Sequence, residues 1–276
     1  MENNKLEDEV INDFGNEWTL YDQDFIKINE KKEIFDDYFY NFPFKLINKD
    51  SVGFDIGCGT GRWAFFFASK VKKIYCIEPS NAINVAKSNL SKFNNVVFLK
   101  EKISELSLKK NSMDFGYSLG VLHHINDTEN ALKIIVSKLK KNAPFLLYLY
   151  YNFENKPFHF KLIFYFVNKL RLLISKLPFK YKKLICNIIA ILIYFPLSRI
   201  SKLFKIIKIP TSFIPLNYYS DKSLYIMRND SLDRFGTKLE KRYSKNDIKK
   251  LMEDSGLQNV IFNSGSPFWV SLGYKK

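Results

Sequence analysis

Ser51-Val-Gly-Phe-Asp-Ile-Gly-Cys-Gly-Thr-Gly-Arg-Trp63 is the stretch whose reading decides the fold. An apolar run, Val52–Asp55, ends in an acid; Gly57, Gly59 and Gly61 follow; a second apolar run opens at Trp63 and reaches Ala68. The order predicts a buried strand, a tight loop and the start of a helix. Glycine is required where a backbone bends sharply and also lies close to a ligand, because a Cβ would clash there. A helix N-terminus behind such a loop presents free N–H groups and a positive dipole end. The pattern therefore predicts a nucleotide or nucleoside cofactor site.

Outward from this loop, strand and helix signals alternate. Strands are expected at Val52–Ile56, Ile74–Ile77, Val96–Leu99, Met113–Leu119 and Phe145–Tyr150, with helices near Trp63–Ser69, Asn81–Leu90 and Thr128–Lys140. Asp127 is placed to cap the last of these. Near-continuous apolar strands separated by helices predict a parallel sheet covered on both faces. Farther on, Ser244 and Asp247 resemble a capping box for a helix reaching Asp254. Gln258–Asn263 and Phe268–Leu272, joined by Ser264–Pro267, read as an antiparallel pair that closes the sheet. The expected fold is α/β: a doubly wound, mostly parallel seven-stranded sheet with a final antiparallel strand, plus an inserted helical subdomain.

The insertion announces itself by composition. The chain carries a net charge of +15, but the excess is local. Residues 155–220 hold twelve Lys and Arg and no acid, whereas residues 1–24 are net −7. The 152–220 segment is too long for a connection in such a sheet, and it is rich in Ile, Leu and aromatics. Its longest uncharged run, Leu184–Ser198, contains Pro196 and falls short of the roughly 20 residues a membrane span needs, so no transmembrane helix is expected. Leu162–Leu177, with Lys169, Arg171 and Lys176 among its apolar residues, suits a basic amphipathic helix. The expected organisation is an N-terminal helical or lid segment at 1–50, a core at 51–151, the insertion at 152–220, and the rest of the core sheet at 221–276. Within 5–50, Phe14, Trp18, Tyr21 and Phe25 lie among acids, and Ile34, Phe35, Tyr38, Phe39 and Phe42 recur at helical spacing. That second group could pack on the sheet edge or close over a ligand. Three cysteines without metal or disulfide spacing, and an acidic start with no apolar signal region, predict a reducing, cytoplasmic setting with no bound metal.

Three cofactors compete for the glycine loop. A P-loop needs G-x-x-x-x-G-K-[ST], and Arg62 stands five residues after Gly57. The dinucleotide fingerprint needs G-x-G-x-x-G, and here Gly61 arrives one residue early. What remains is an acid at the strand end followed by G-x-G-x-G. On Asp55, Gly57, Gly59 and Gly61 the chain resembles the class I S-adenosylmethionine-dependent methyltransferases of small-molecule type. The resemblance covers residues 50–151, with a weaker match over 244–276, and implies S-adenosylmethionine as cofactor. It implies that Glu78, 21 residues after Gly57 and followed by Pro79, holds both ribose hydroxyls. It further places Glu101 and Lys102 near the adenine, Cys58 within the loop, and Ser118 and Leu119 beside the methionine part.

The acceptor is less legible. His123 and His124 follow the fourth strand; either could take a proton from an acceptor hydroxyl, His124 by preference, or simply tie down the next loop. Tyr150 and Tyr151 end the fifth strand and could face acceptor. Arg228 and Arg234, in a polar stretch read as a loop, could contact it or pair with acids at the surface. Arg62 could pair with Glu78. The amino-group signature of the family, [DNS]-P-P-[FWY], is absent: Ser118-Leu119-Gly120-Val121 stands there. The expected acceptor is therefore a small-molecule, lipid-linked or glycan hydroxyl, with peripheral contact to anionic membrane through 155–220. An RNA methyltransferase ranks lower, because the lysines are interleaved with too many aliphatics for a stacking platform. An NAD-dependent oxidoreductase and a non-catalytic binding module also stay open.

Overall fold

The computed structural model describes residues 2–23 and 26–276, the side chains of residues 2–4 excepted. Asp24 and Phe25, counted above among the acids and aromatics, lie outside the described residues. The strands are β1 (Val52–Ile56), β2 (Lys73–Ile77), β3 (Val96–Leu99), β4 (Phe115–Leu119), β5 (Pro144–Tyr148), β6 (Leu257–Phe262) and β7 (Val270–Lys275). The helices are α1 (Glu2–Leu20), α2 (Ile28–Tyr38), α3 (Ala64–Ala68), α4 (Ala82–Asn89), α5 (Thr128–Val136), α6 (Phe158–Ile174), α7 (Phe179–Ile189), α8 (Phe195–Ile206), α9 (Leu224–Gly236) and α10 (Lys245–Asp254).

The sheet has seven strands in the order β3-β2-β1-β4-β5-β7-β6, parallel from β3 to β5, with β7 antiparallel to both neighbours. The crossover point of the doubly wound half lies between β1 and β4, so the loops after these two strands open the crevice where such folds take their ligands. β1 and β4 interlock by size. Gly53 pairs with Phe115 and Phe54 with Gly116, and a Cβ on either glycine would stand 2.1–2.2 Å from the opposing ring. The tips of two aromatic rings therefore fill the space beside bare backbone at the sheet centre. One face is covered by α5 and α10, through Leu132, Ile135, Ile248 and Met252. The other carries an aromatic layer in which Phe39 meets Phe67 and Tyr117 at ring distances of 5.3 and 5.1 Å. That settles the aromatic group at Ile34–Phe42: its buried members Phe35, Phe39 and Phe42 belong to the core.

The caps are as local chemistry demands. Asp127 accepts from the Asn130 N–H at 3.0 Å. Ser244 and Asp247 form a reciprocal capping box. α1 is a difference: a 19-residue helix where the acids obscure the period of Val10, Phe14, Trp18 and Tyr21.

The chain divides into two compact units: residues 1–23, 31–152 and 239–276, and residues 24–30 and 153–238. The second unit runs 18 residues past the composition break at 220, because α9 is the helix on which it is built. The Ser231 hydroxyl donates to the Cys186 carbonyl at 2.9 Å. Arg171, buried on α6, donates to the Thr237 carbonyl at 2.7 Å. A helix carrying Arg228, Asp230, Asp233 and Arg234 has no apolar excess to mark it as core, which is why composition puts it outside.

Pro196 does not interrupt the insertion's apolar run as expected. α7, a single π-type turn at Ala190–Tyr194 and α8 form one unbroken helix, Phe179–Ile206, of 28 residues. Proline removes an N–H and crowds the carbonyl four residues back; the wider turn just before it absorbs both. By length and composition this helix could cross a membrane, contrary to the expectation.

Candidate active site

The loop after β1 turns on left-handed glycines: φ is +71° at Gly57, +52° at Gly59 and +76° at Gly61. A Cβ at Gly57 would stand 2.3 Å from Val121 Cγ2, on the loop after β4, and one at Gly61 would stand 2.7 Å from Leu90 Cδ1. The N–H groups of Gly57 and Cys58 both donate to the Ile77 carbonyl, at 2.8 and 3.1 Å, so the loop folds back over the end of β2. There Glu78, buried, accepts from Gly59 N–H at 3.1 Å with Oε2 and from Ser80 N–H at 3.0 Å with Oε1. Each carboxylate oxygen has two lone pairs. Each has thus spent one on the backbone and keeps one for a ligand hydroxyl. Arg62 does not pair with Glu78; its guanidinium lies between Trp18 and Trp63, 5.1 and 4.3 Å from their rings. Glu78→Ala strips the acceptor from two buried N–H groups as well as from a diol. Glu78→Gln keeps one acceptor oxygen. Cofactor affinity in a calorimetric titration is therefore expected to fall about 30- to 150-fold in the alanine variant and less in the glutamine variant.

Asp55, at the end of β1, is 1 % exposed and its Oδ2 has no hydrogen-bond partner. Burial pushes its carboxyl up to about 8; the neighbouring Tyr117 hydroxyl and the Arg62 charge pull the other way, and Glu78 adds to the rise. Asp55 is consequently protonated at neutral pH, Arg62 notwithstanding. In the unfolded chain the same group titrates near 3.9. Below that value both states hold the proton and nothing is lost; between about 4 and 8 the folded state holds one proton more, so stability declines as pH rises. Asp55→Asn removes the decline. Melting curves of the ligand-free proteins are expected to coincide near pH 4 and to separate towards pH 8, with the variant more stable; a constant difference across the range would show that Asp55 does not titrate there. A buried acid with one oxygen unpartnered at one strand end and a half-satisfied carboxylate at the next fit a nucleoside bearing a diol and a cationic amino-acid end.

α1 covers this crevice. A Cβ on Gly59 would lie 3.4 Å from Trp18 Nε1, and one on Gly15 would lie 3.1 Å from Ser80 Cβ. Phe14 lies 4.8 Å from the His124 ring, and Asp8 pairs with Lys102 at 2.5 Å, holding the lysine's pKa above its ordinary value. Lys102 thus fastens α1. Each oxygen of Glu101 accepts one bond from Ser107, at 2.9 Å from the N–H and 2.7 Å from the hydroxyl. Pro79 leads into the Ser80 turn. Ser118, fully buried, donates to the Ile56 carbonyl at 3.2 Å and ties β4 to β1; Leu119 is buried beside it. Cys58 is buried in the loop, with a thiol that burial holds well above its ordinary pKa, so it is no nucleophile.

The two histidines differ. His123 is completely buried, neither ring nitrogen has a partner, and desolvation keeps it neutral far below its ordinary pKa. It stacks on Tyr150 at 3.9 Å. His124 has Nδ1 2.6 Å from the Leu239 carbonyl. A carbonyl only accepts, so Nδ1 carries the proton and the neutral ring keeps its basic lone pair on Nε2. Arg242 completes this wall: its guanidinium lies 5.2 Å from the Tyr150 ring, donates to the Tyr151 carbonyl at 3.0 Å, and binds Glu240 Oε1 at 2.8 Å. Glu240 has a side chain 2 % exposed and an Oε2 without a partner. Sequence reasoning misses Glu240 and Arg242. Lys238–Tyr243 reads as an ordinary charged stretch, and nothing local signals that it lies beside a histidine 115 residues earlier. Tyr151 sits instead with Phe268, 5.6 Å away, against the core. Arg228 and Arg234 lie on α9, not on a loop. Arg228 Nε donates to Asn187 at 2.9 Å, and the Arg234 guanidinium lies 5.8 Å from the Tyr219 ring, both within the second unit.

A family model described as a methyltransferase domain matches residues 54–147. An archaeal protein named probable cobalt-precorrin-6B C(15)-methyltransferase (decarboxylating), from Methanobrevibacter smithii, is 37% identical over 89 residues, covering 31% of this chain and 46% of its own. The protein of the same name from Methanocaldococcus jannaschii is 35% identical over 92 residues, with 32% and 46% covered. The chain thus spans about half the length of the curated relatives it matches. Among solved structures, a presumed methyltransferase of Bacillus halodurans superposes with a TM-score of 0.50 at 13% identity, over 82% of this chain and 72% of that one. A possible exported protein of Bordetella parapertussis gives 0.51 at 10%, over 88% and 67%; at such identities these show the fold. Residues 54–147 thus match a methyltransferase domain, and the glycine loop and sheet order resemble those of the class I S-adenosylmethionine-dependent methyltransferases. S-adenosyl-L-methionine is the cofactor of that class.

Proposed function

We propose that the first unit transfers a methyl group from S-adenosylmethionine to a small-molecule acceptor, through a hydroxyl of a lipid-linked or glycan molecule. The observation that carries the reading is Glu78, which anchors the glycine loop and still has one free lone pair on each oxygen. Bound S-adenosylmethionine supplies a methyl made electrophilic by its sulfonium. The chain has three tasks left. Asp55, the glycine loop and Glu78 hold the nucleoside; α1, with Phe14 and Trp18, excludes water; His124, its Nδ1 proton held by Leu239, takes the acceptor's proton at Nε2. Oriented this way, an acceptor about 3 Å from the methyl needs no further activation. The acid-free, apolar segment 155–220 supports an amphiphilic acceptor presented at a cytoplasmic membrane face.

The archaeal relatives are named for a carbon acceptor, and a carbon nucleophile is the second reading. The test is transfer of labelled methyl from S-adenosylmethionine into lipid, aqueous and nucleic-acid fractions of producing cells. Label in a methyl ether, stable to mild alkali, is the expected result. Label on carbon supports the second reading, and label confined to nucleic acid contradicts both.

A further inference from the structure

The second unit has an unusual surface. Among the described residues, 21 of the 26 exposed large hydrophobic side chains fall between Phe158 and Phe213. They form an outer face on each long helix. On α6, Phe158, Leu162, Phe166 and Leu173 are 77, 46, 60 and 67 % exposed, on the side opposite the buried Arg171 and Ile174. On the continuous helix Phe179–Ile206, Leu184, Ile188, Leu192 and Leu203 are 57, 47, 68 and 55 % exposed, opposite Lys182, Cys186, Tyr194 and Ser198. Solvated lysines stand along and at the ends of these faces: Lys161, Lys169 and Lys176 on or just after α6, and Lys180 at the start of α7. No acid occurs from 155 to 220. Soluble proteins seldom expose so much contiguous apolar area, and a nucleic acid would leave these aliphatic side chains in water.

Two modes would cover such a surface with lipid, and the packing separates them. The inner stripe of Phe179–Ile206 lies on α9: Asn187 receives the Arg228 Nε–H, the Cys186 carbonyl receives the Ser231 hydroxyl, and Ser198 reaches Met227 Sδ at 3.8 Å. α9 carries Arg228, Asp230, Asp233 and Arg234. If the long helix crossed a bilayer in this fold, those four charges would enter hydrocarbon with it, at a heavy cost. Lying in the plane of the headgroups, the helix keeps α9 on the aqueous side, its outer aliphatics in the acyl boundary and its lysines among phosphates.

We propose that the second unit docks flat on an anionic lipid bilayer through the outer faces of α6 and of Phe179–Ile206. The inference rests on the membrane-facing reading of that unit and is independent of the chemistry of the first. Charge complementarity selects the partner: an acid-free basic face is attracted to anionic headgroups and not to zwitterionic ones.

The test is co-sedimentation of the full chain with vesicles of phosphatidylcholine alone and of phosphatidylcholine mixed with phosphatidylglycerol, at physiological salt. Binding is expected only to the anionic vesicles. It is expected to weaken about fivefold for each of Lys161, Lys169 and Lys180 changed to Gln, and to be lost in Leu173→Glu/Leu192→Glu. S-adenosylmethionine binding reports separately that the first unit is folded and loaded, so its loss would count against the methyltransferase reading alone. The lysine variants leave the apolar packing untouched and so remain informative if the glutamate pair misfolds. Carbonate extraction at high pH is expected to release the chain. Equal binding to both vesicles, lysine variants that bind like the parent, or a chain retained by carbonate-washed membranes overturns the proposal. So does a Leu192→Glu variant that dissociates a dimer while vesicle binding persists.

Discussion

Gly57→Ala is expected to abolish S-adenosylmethionine binding and to lower the stability of the first unit by about 2–4 kcal/mol. Two independent costs add. At φ +71° any L-residue with a Cβ sits in the left-handed region, a strain of about 1–2 kcal/mol. The new methyl would also stand 2.3 Å from Val121 Cγ2 and 2.8 Å from Cγ1. Neither atom is the tip of a flexible chain, so the backbone must yield. When it yields, the bonds from Gly57 and Cys58 N–H to the Ile77 carbonyl and from Gly59 N–H to Glu78 loosen together. Denaturant unfolding reads the stability, and calorimetry the binding. Adding Val121→Ala relieves the clash but not the backbone strain, so the double variant is expected to regain part of the stability. A Gly57→Ala protein that binds within about tenfold of the parent would mean that the loop does not hold the cofactor.

His124→Ala is expected to slow methyl transfer by about 10²- to 10⁴-fold while leaving S-adenosylmethionine affinity within about threefold. The split follows from the geometry. His124 contacts Phe14 of α1 and the Leu239 carbonyl, whereas Asp55, Glu78 and the glycines, the residues proposed to hold the nucleoside, lie at the ends of β1 and β2. A ring fixed at Nδ1 presents Nε2 in one orientation, which is what a positioned base requires. His124→Gln keeps a side chain that can donate to Leu239 but has no titrating group. It should therefore restore stability and not rate. If cofactor affinity and rate fell together in both variants, the histidine would be a strut for the Leu239 segment. His123, buried and neutral, is expected to act through its stacking on Tyr150 and not as a base.

Much of the sheet is legible in the sequence because its signals are local. Apolar runs such as Val52–Ile56 and Val96–Leu99 coincide with the strands to the residue, and the acid-glycine spacing around Asp55 fixes both the turn and the ligand edge. Glu78 can be found by counting from Gly57, because β2 must begin and end where β1 does for their ladder to pair. α1 escapes notice because its buried residues are few and acids dominate its composition. Pro196 misleads because proline's local rule is true of an α-turn and the chain answers it with a π-turn. Arg228 and Arg234 look like loop residues because a charged helix at the heart of a helical unit has no composition of its own. Glu240 and Arg242 are beyond reach: only the folded chain brings them to Tyr150, across some 90 residues. Glu101 fits its position in the pattern, and each of its oxygens, like those of Glu78, accepts one bond, here from Ser107, and keeps one lone pair.

Isothermal titration of the full chain with S-adenosylmethionine, beside an identical titration with NADH, tests the assignment of the glycine loop most directly. One S-adenosylmethionine is expected to bind per chain, with affinity lost in Gly57→Ala and reduced in Glu78→Ala, and NADH is expected to give no heat of binding. Saturable NADH binding that Glu78→Ala weakens, with no response to S-adenosylmethionine, would contradict it.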